Sequence, residues 1–153
     1  MTVEFEQVTV INAPIETVFG LSLDIDAHLA SMSRANERAI EGVTTGRIDL
    51  GQSVTWRATH FGIPFTMTSR VTELERPHRF VDEQVRGPFR SFHHEHLFDD
   101  ANGGTVMADR VRFDAPLGFI GRTVERLLLA RYLRQLIEQR GEFLRAAAEG
   151  HRR

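Results

Sequence analysis

The feature that most constrains this chain is a change of period near residue 114. Between Arg38 and Phe113, apolar and polar residues alternate in short runs. Turn sequences break these runs at Gly42–Gly46, Gly51, Gly62–Pro64, Arg76-Pro77, Gly87-Pro88 and Asn102-Gly103-Gly104. After Asp114-Ala-Pro-Leu-Gly the pattern becomes helical. Ile120, Val124, Leu127, Leu128, Leu133, Leu136, Ile137, Leu144 and Ala147 form one broad stripe, and arginines fill the opposite face. Period two means strands with one buried face, and Asn-Gly is a strong hairpin signal. The chain is therefore read as an antiparallel meander followed by a single long helix.

Upstream, Val3–Ile11 alternates as a strand, with Val3, Phe5, Thr9 and Ile11 opposite Glu4 and Glu6. Asn12-Ala-Pro-Ile-Glu opens a short helix, with Asn12 as cap, Pro14 in the first turn and Glu16 at the positive dipole end. Gly20 and the Ser22–Asp26 stretch end it, and a second short helix covers about Ile25–Met32. The last helix runs from Leu117 or Gly121 to Glu149. Gly141 within it costs about 1 kcal/mol against Ala and marks a bend. No repeat or linker is visible, so residues 1–153 are expected to form one domain with its core at about 3–147. A curved sheet with one face covered by a single helix leaves a cavity between the two.

Composition narrows the chemistry. Cysteine is absent, and all 19 basic side chains are Arg, so lysine is absent too. This excludes thiol nucleophiles, Cys-ligated metals, disulfides, Schiff bases and a lysine general base. Tyr132 and Trp56 are the single tyrosine and tryptophan. Any catalysis falls to His, Asp, Glu, Arg, Ser or Thr. A net charge of −2 argues against nucleic acid as a partner. The helix arginines, interleaved with Glu125, Glu138 and Glu142, read as a solvated face. Met1–Gln7 lacks the basic start of a secretory signal, and no apolar run reaches membrane-spanning length. A cytoplasmic location without stable membrane insertion is expected, and the oligomeric state stays open.

Several segments together resemble the helix-grip superfamily, also called START-like or SRPBCC, which contains the polyketide cyclase/dehydrase and lipid-transport proteins. Ile11-Asn-Ala-Pro-Ile-Glu-Thr-Val-Phe is similar to its opening strand and short helix. Val71-Thr-Glu-Leu-Glu-Arg-Pro-His-Arg-Phe resembles its strand–turn–strand, and Gly103-Gly-Thr-Val-Met-Ala-Asp its last hairpin. Gly87-Pro-Phe-Arg-Ser-Phe-His-His-Glu-His-Leu-Phe and Pro116-Leu-Gly resemble a bacterial ligand-binding subgroup. The resemblance implies an α+β fold: a curved seven-stranded antiparallel sheet wrapped around a long C-terminal helix, with two short helices after the first strand. It implies no single activity, because members include carriers, sensors, lipid-transfer modules and aromatase/cyclases.

Alternation then selects candidate site residues. Arg90, Phe92, His94, His96 and Phe98 share one strand face, called inward for its aromatic anchors. In the next strand Met107, Asp109, Val111 and Phe113 point inward, because Arg110 and Arg112 occupy the other face. A carboxylate among apolar neighbours needs a partner. With Asn102-Gly103 as a two-residue turn, His96 pairs with Asp109; a slip of two residues brings His94 there instead. Phe80, Asp82 and Gln84 join this surface if the Gly87-Pro88 connection contains a bulge or an odd-length loop. Trp56, with Val54, Ala58 and His60, faces inward as core or as a platform for a ring; Met67, Ser69 and Val71 line the next strand. His28, His60, His78, His93 and His151 are assigned to the surface or to turns, His60 least firmly.

The candidate ligand-binding set is thus Trp56, Met67, Phe80, Gln84, Phe92, His94, His96, Asp109, Val124 and Leu128. The His–Asp pair serves as a cross-strand bridge, an anchor for a ligand oxygen, a catalytic dyad, or part of a His-x-His metal site; the residues alone leave these open. No metal and no cofactor are expected, since Asp109 accounts for the strand histidines. Where pairing outweighs desolvation, the paired imidazole should titrate above its unfolded value of ~6.5. The preferred function is binding of a small hydrophobic molecule, such as a lipid, isoprenoid, polyketide or aromatic metabolite. The alternatives are an aromatase/cyclase-like enzyme and a non-catalytic interaction module. In the enzyme, His94 or His96 is the base, Asp109 orients it and Arg90 polarises a carbonyl.

Overall fold

The computed structural model describes residues 2–115 and 123–150, apart from the side chains of residues 123 and 124. Strand β1 (Thr2–Ile11) leads into helices α1 (Ile15–Ser22) and α2 (Ile25–Ser31) and a 3-10 turn at Ser33–Ala35. Strands β2 (Arg38–Gly42), β3 (Ser53–His60), β4 (Ile63–Glu75), β5 (Arg79–Arg86), β6 (Ser91–Ala101) and β7 (Gly104–Asp114) follow, and α3 (Thr123–Gly150) closes the chain. All seven strands pair antiparallel in the order β1-β7-β6-β5-β4-β3-β2. This is the expected α+β architecture, a curved sheet gripping a C-terminal helix.

Local chemistry explains the register that matters most. Asn102 and Gly103 both take left-handed backbone, φ 54° and 84°, which is the two-residue turn that matches strand twist. Ala101 then opposes Gly104, Phe98 opposes Met107 and His96 opposes Asp109. Strand β4 shifts register against β5 at Thr68/Ser69 and at Val71/Glu73. Such bulges add twist and bend the sheet.

The first helix differs from its sequence reading. Pro14, not Asn12, stands at its N-cap, and no side chain caps it. Gly20 does not end it: a Cβ there would meet the Arg47 guanidinium at 2.7 Å, so the glycine makes room for that side chain. The helix continues to Ser22, and α2 is capped by Asp24, which accepts from the Ala27 N–H at 2.9 Å.

Two apolar clusters fill the space between sheet and α3. The larger joins Phe19, Phe80, Phe98, Met107, Leu144 and Ala148 among others; the smaller joins Phe5, Val111, Phe113 and Ile137. Leu128, expected to close the cavity, is 59% exposed, and Leu127 is exposed as well. The reason is rotational: at about 100° per residue, nine residues from the buried Ile137 put Leu128 on the far side of the helix. Truncating Leu128 should therefore cost little. Val124 and Ile120, expected beside it, lie outside the described side chains.

Gly141 does not break α3 but lets it lie against β1. A Cβ on Gly141 would sit 2.5 Å from the Thr9 Oγ1, and Thr9 is buried. Gly141→Ala should thus destabilise despite a helix-propensity gain of about 1 kcal/mol. In a Thr9→Ala background the same substitution should stabilise by about that amount. Urea unfolding of the four chains measures this reversal, and equal effects in both backgrounds would show that the contact is slack.

Candidate functional site

Between the two apolar clusters lies a layer of charge. Along β7 the inward residues run Met107, Asp109, Val111; along β6 they run Phe98, His96, His94, Phe92; along α3 they run Leu144, Arg140, Ile137. The apolar ends belong to the two clusters, and the polar middles meet. Asp109 is completely buried. Its Oδ1 accepts from His94 Nε2 at 2.8 Å and from Arg140 Nη1 at 3.3 Å. His96 opposes Asp109 in the ladder, yet its Nδ1, 3.3 Å from Oδ1, misses hydrogen-bond geometry. The other nitrogen of His96 reaches across to β5 and bonds Asp82 Oδ2 at 2.6 Å. The diagonal histidine therefore makes the hydrogen bond to Asp109, and the directly opposed one bonds Asp82 instead.

Ring stacking holds this order. The His94 and His96 rings lie 3.7 Å apart at 24°, and His96 lies on Phe80 at 4.0 Å and 13°. Arg140 is 3% exposed and also donates from Nη2 to the Ser22 carbonyl at 3.3 Å, the last residue of α1. A cation suits a helix C-terminus.

The electrostatics follow from burial and pairing. Burial alone would raise Asp109, but the His94 hydrogen bond, the His96 ring beside it and the Arg140 charge hold its carboxyl far below the usual range. Asp82 behaves alike: burial opposes ionisation, and His96 together with Arg140 brings it down to about 2. His94 moves down, principally through burial and then through its neighbour His96, and the Asp109 bond does not compensate. This corrects the expectation that pairing would raise it. Near neutral pH His94 is an uncharged imidazole whose Nε2 proton is committed to Asp109, leaving a lone pair on Nδ1.

This layer floors an apolar cavity of about 290 Å³, at the small end of ligand sites. Asp82, His94, His96 and Arg140 line it, together with Trp56, Met67, Phe80 and Phe92. Asp109 does not: it stands behind His94 and acts through it, so its place in the contact set is corrected. Gln84 is corrected too. The β5–β6 pairing ends at Glu83↔His93, and the Gln84 amide turns to clamp the Phe89 backbone at 2.8 and 3.2 Å. Arg90 precedes β6 at the end of the ladder, where alternation no longer fixes direction, and it is exposed. It does not reach the histidines' cavity. Arg140, assigned to the solvated helix face, takes the cationic place instead; its position four residues from both Leu136 and Leu144 was the available signal.

A second polar group lines the same cavity. His28 Nε2 lies 2.5 Å from Glu37 Oε1, and the His28 ring packs on Trp56 at 4.4 Å. His60 Nδ1 lies 2.6 Å from the Tyr132 hydroxyl. His28 and His60 are thus wall residues rather than surface or turn residues. Burial lowers His60, with Glu37 opposing that shift. Asp82, His94 and His96 also offer ligand atoms within 4.8 Å of one another, so a divalent ion would find donors there.

Residues 2–149 match the family described as Polyketide cyclase / dehydrase and lipid transport, and the chain belongs to that family. No curated protein matches it in sequence. Its fold is similar to that of the Zhui aromatase/cyclase from Streptomyces sp. R1128: TM-score 0.79, 17% identity, 100% of this chain and 97% of that one. The di-domain ARO/CYC StfQ of the steffimycin biosynthetic pathway is likewise similar, at TM-score 0.78 and 17% identity; the match covers 99% of this chain and 52% of that one. The protein TTHA0849 from Thermus thermophilus is similar at TM-score 0.70 and 18% identity, over 97% of this chain and 99% of that one. No helix among the described residues is long and apolar enough to cross a membrane.

A depressed histidine makes stability pH-dependent with a definite sign. Below its unfolded value of ~6.5, the unfolded chain takes up the proton that native His94 refuses, so stability falls as pH falls. The slope is at most about 1.4 kcal/mol per pH unit for this group. His60, also lowered, adds to it in the same direction. Denaturant unfolding from pH 7.5 to 5.5 should show the decline, with His94→Gln removing one share and His60→Gln another. A gain in stability on acidification would contradict the assignment.

Proposed function

We propose that the protein binds an apolar small molecule carrying an oxygen function, with its hydrocarbon body against Trp56, Met67 and Phe92 and its oxygen at His94 and Asp82. The observation that carries this reading is a hydrogen-bonding, charged floor beneath apolar walls. The Asp82 side chain keeps 25% of its surface accessible, so the floor has acceptor capacity left for a ligand. Family membership and the similar aromatase/cyclase folds support ligand binding in such a cavity. Apolar burial at roughly 25 cal/mol per Å² supplies the driving force, and the polar floor supplies orientation.

A second reading, catalysis of cyclisation or dehydration on a polyketide-like chain, is favoured by one observation, a cavity-lining His94 whose Nε2 is bonded to the buried Asp109 at 2.8 Å. There His94 removes a proton beside a carbonyl, Asp109 is its positioning residue, and Arg140 offers charge to the developing oxyanion.

Trp56 reports on the wall directly. Titration with naphthols, fatty alcohols and their parent hydrocarbons should change its emission saturably for at least one class. His94→Gln should weaken the oxygen-bearing compounds about tenfold, or ~1.4 kcal/mol, and the hydrocarbons less than about twofold. If calorimetry and emission both show no saturable binding, the cavity reading is wrong. Turnover of a bound β-hydroxy ketone to its enone, abolished by His94→Gln, would promote the second reading over the first.

A further inference from the structure

The cavity has polar groups at two places, and only one of them is used by the reading above. The floor is fixed on α3 by Arg140, the second group by Tyr132 on the same helix. Eight residues separate them, which is about 12 Å of helix axis. Between them the helix offers Leu133, Leu136 and Ile137 to the cavity, and the sheet offers Ala58 and Met67. Phe61, 68% exposed, also lines the cavity and packs on Tyr132 at 4.5 Å, so the second group stands where the cavity reaches the surface.

That group retains bonding capacity. When the Tyr132 hydroxyl donates to His60 Nδ1, the neutral imidazole keeps an N–H on Nε2 and the phenol oxygen keeps a lone pair. His28 has one nitrogen beyond its Glu37 bond. A wall built only to exclude water needs none of these groups, since apolar side chains of similar size would fill the same space.

We propose that the cavity is bipolar: its ligand carries a hydrogen-bonding oxygen at each end of an apolar middle, one end held at Asp82 and His94 and the other at His60 and Tyr132. This rests on the cavity reading above and specifies its ligand class. The two α3 residues that anchor the poles lie about 12 Å apart along the helix axis, the length of an extended chain of roughly ten bonds, so ligand length is graded around that value. A chain hydroxylated at both ends satisfies both poles, while a simple fatty alcohol leaves one of them without a partner.

The test uses straight-chain α,ω-diols of graded length against the matching mono-alcohols and alkanes, read by calorimetry and Trp56 emission. A diol near ten carbons should bind about tenfold tighter than its mono-alcohol, with weaker binding of shorter and longer diols. Tyr132→Phe, which keeps the ring, should bring the ratio of diol to mono-alcohol affinity from about tenfold down to within about twofold. Diols that bind no better than mono-alcohols, or a preference that survives in Tyr132→Phe, would overturn the bipolar assignment while leaving the cavity intact. Failure of diols, mono-alcohols and alkanes alike would remove the cavity reading, and this inference with it.

Discussion

A completely buried carboxylate, Asp109, sets the terms for the rest of the molecule. An unpaired ion there would be prohibitive, so His94 from β6 and Arg140 from α3 must reach it. Arg140 in turn ties down the end of α1 through the Ser22 carbonyl. One oxygen thus fixes where the helix lies on the sheet and how the first short helix meets both. Removing one partner of such a buried cluster typically costs about 3–5 kcal/mol.

The same cluster divides the interior. Apolar packing proceeds on either side of it, through Phe98, Met107 and Leu144 in one direction and through Val111, Phe113 and Ile137 in the other. A layer of well-packed hydrophobes would often serve folding as well or better. The charges therefore make more sense as equipment for the cavity they floor. The β4 bulges bend the sheet along the strand that contributes Met67, Ser69 and Val71 to the cavity, and Gly141 lets α3 lie close against β1.

Much of this was legible in the sequence because period-two alternation and one turn fix so much at once. Asn102-Gly103 determines the β6–β7 register, and register plus alternation puts His94, His96 and Asp109 on one face. Which histidine bonds Asp109 was not legible, since the stacked rings direct the diagonal one to it. Arg140 was hidden by its class: an arginine on an amphipathic helix reads as solvated until its stripe position is weighed above its charge. Leu128 erred oppositely, an apolar residue on the outer face. Arg90 and Gln84 failed at strand ends, where the ladder that enforces alternation has stopped. His28 and Glu37 come from a short helix and a connecting segment, which carry no period to read.

The central claim is that burial and the neighbouring His96 keep His94 a neutral imidazole, while Asp109 holds its proton on Nε2 and leaves Nδ1 available to a ligand. Long-range proton–nitrogen NMR of histidine-labelled protein at pH 7 observes this state directly. The account predicts one protonated and one lone-pair nitrogen on His94, with the Nδ1 resonance moving when an oxygen-bearing ligand binds and staying still for its parent hydrocarbon. A doubly protonated His94, or a resonance indifferent to every ligand that fills the cavity, would contradict it.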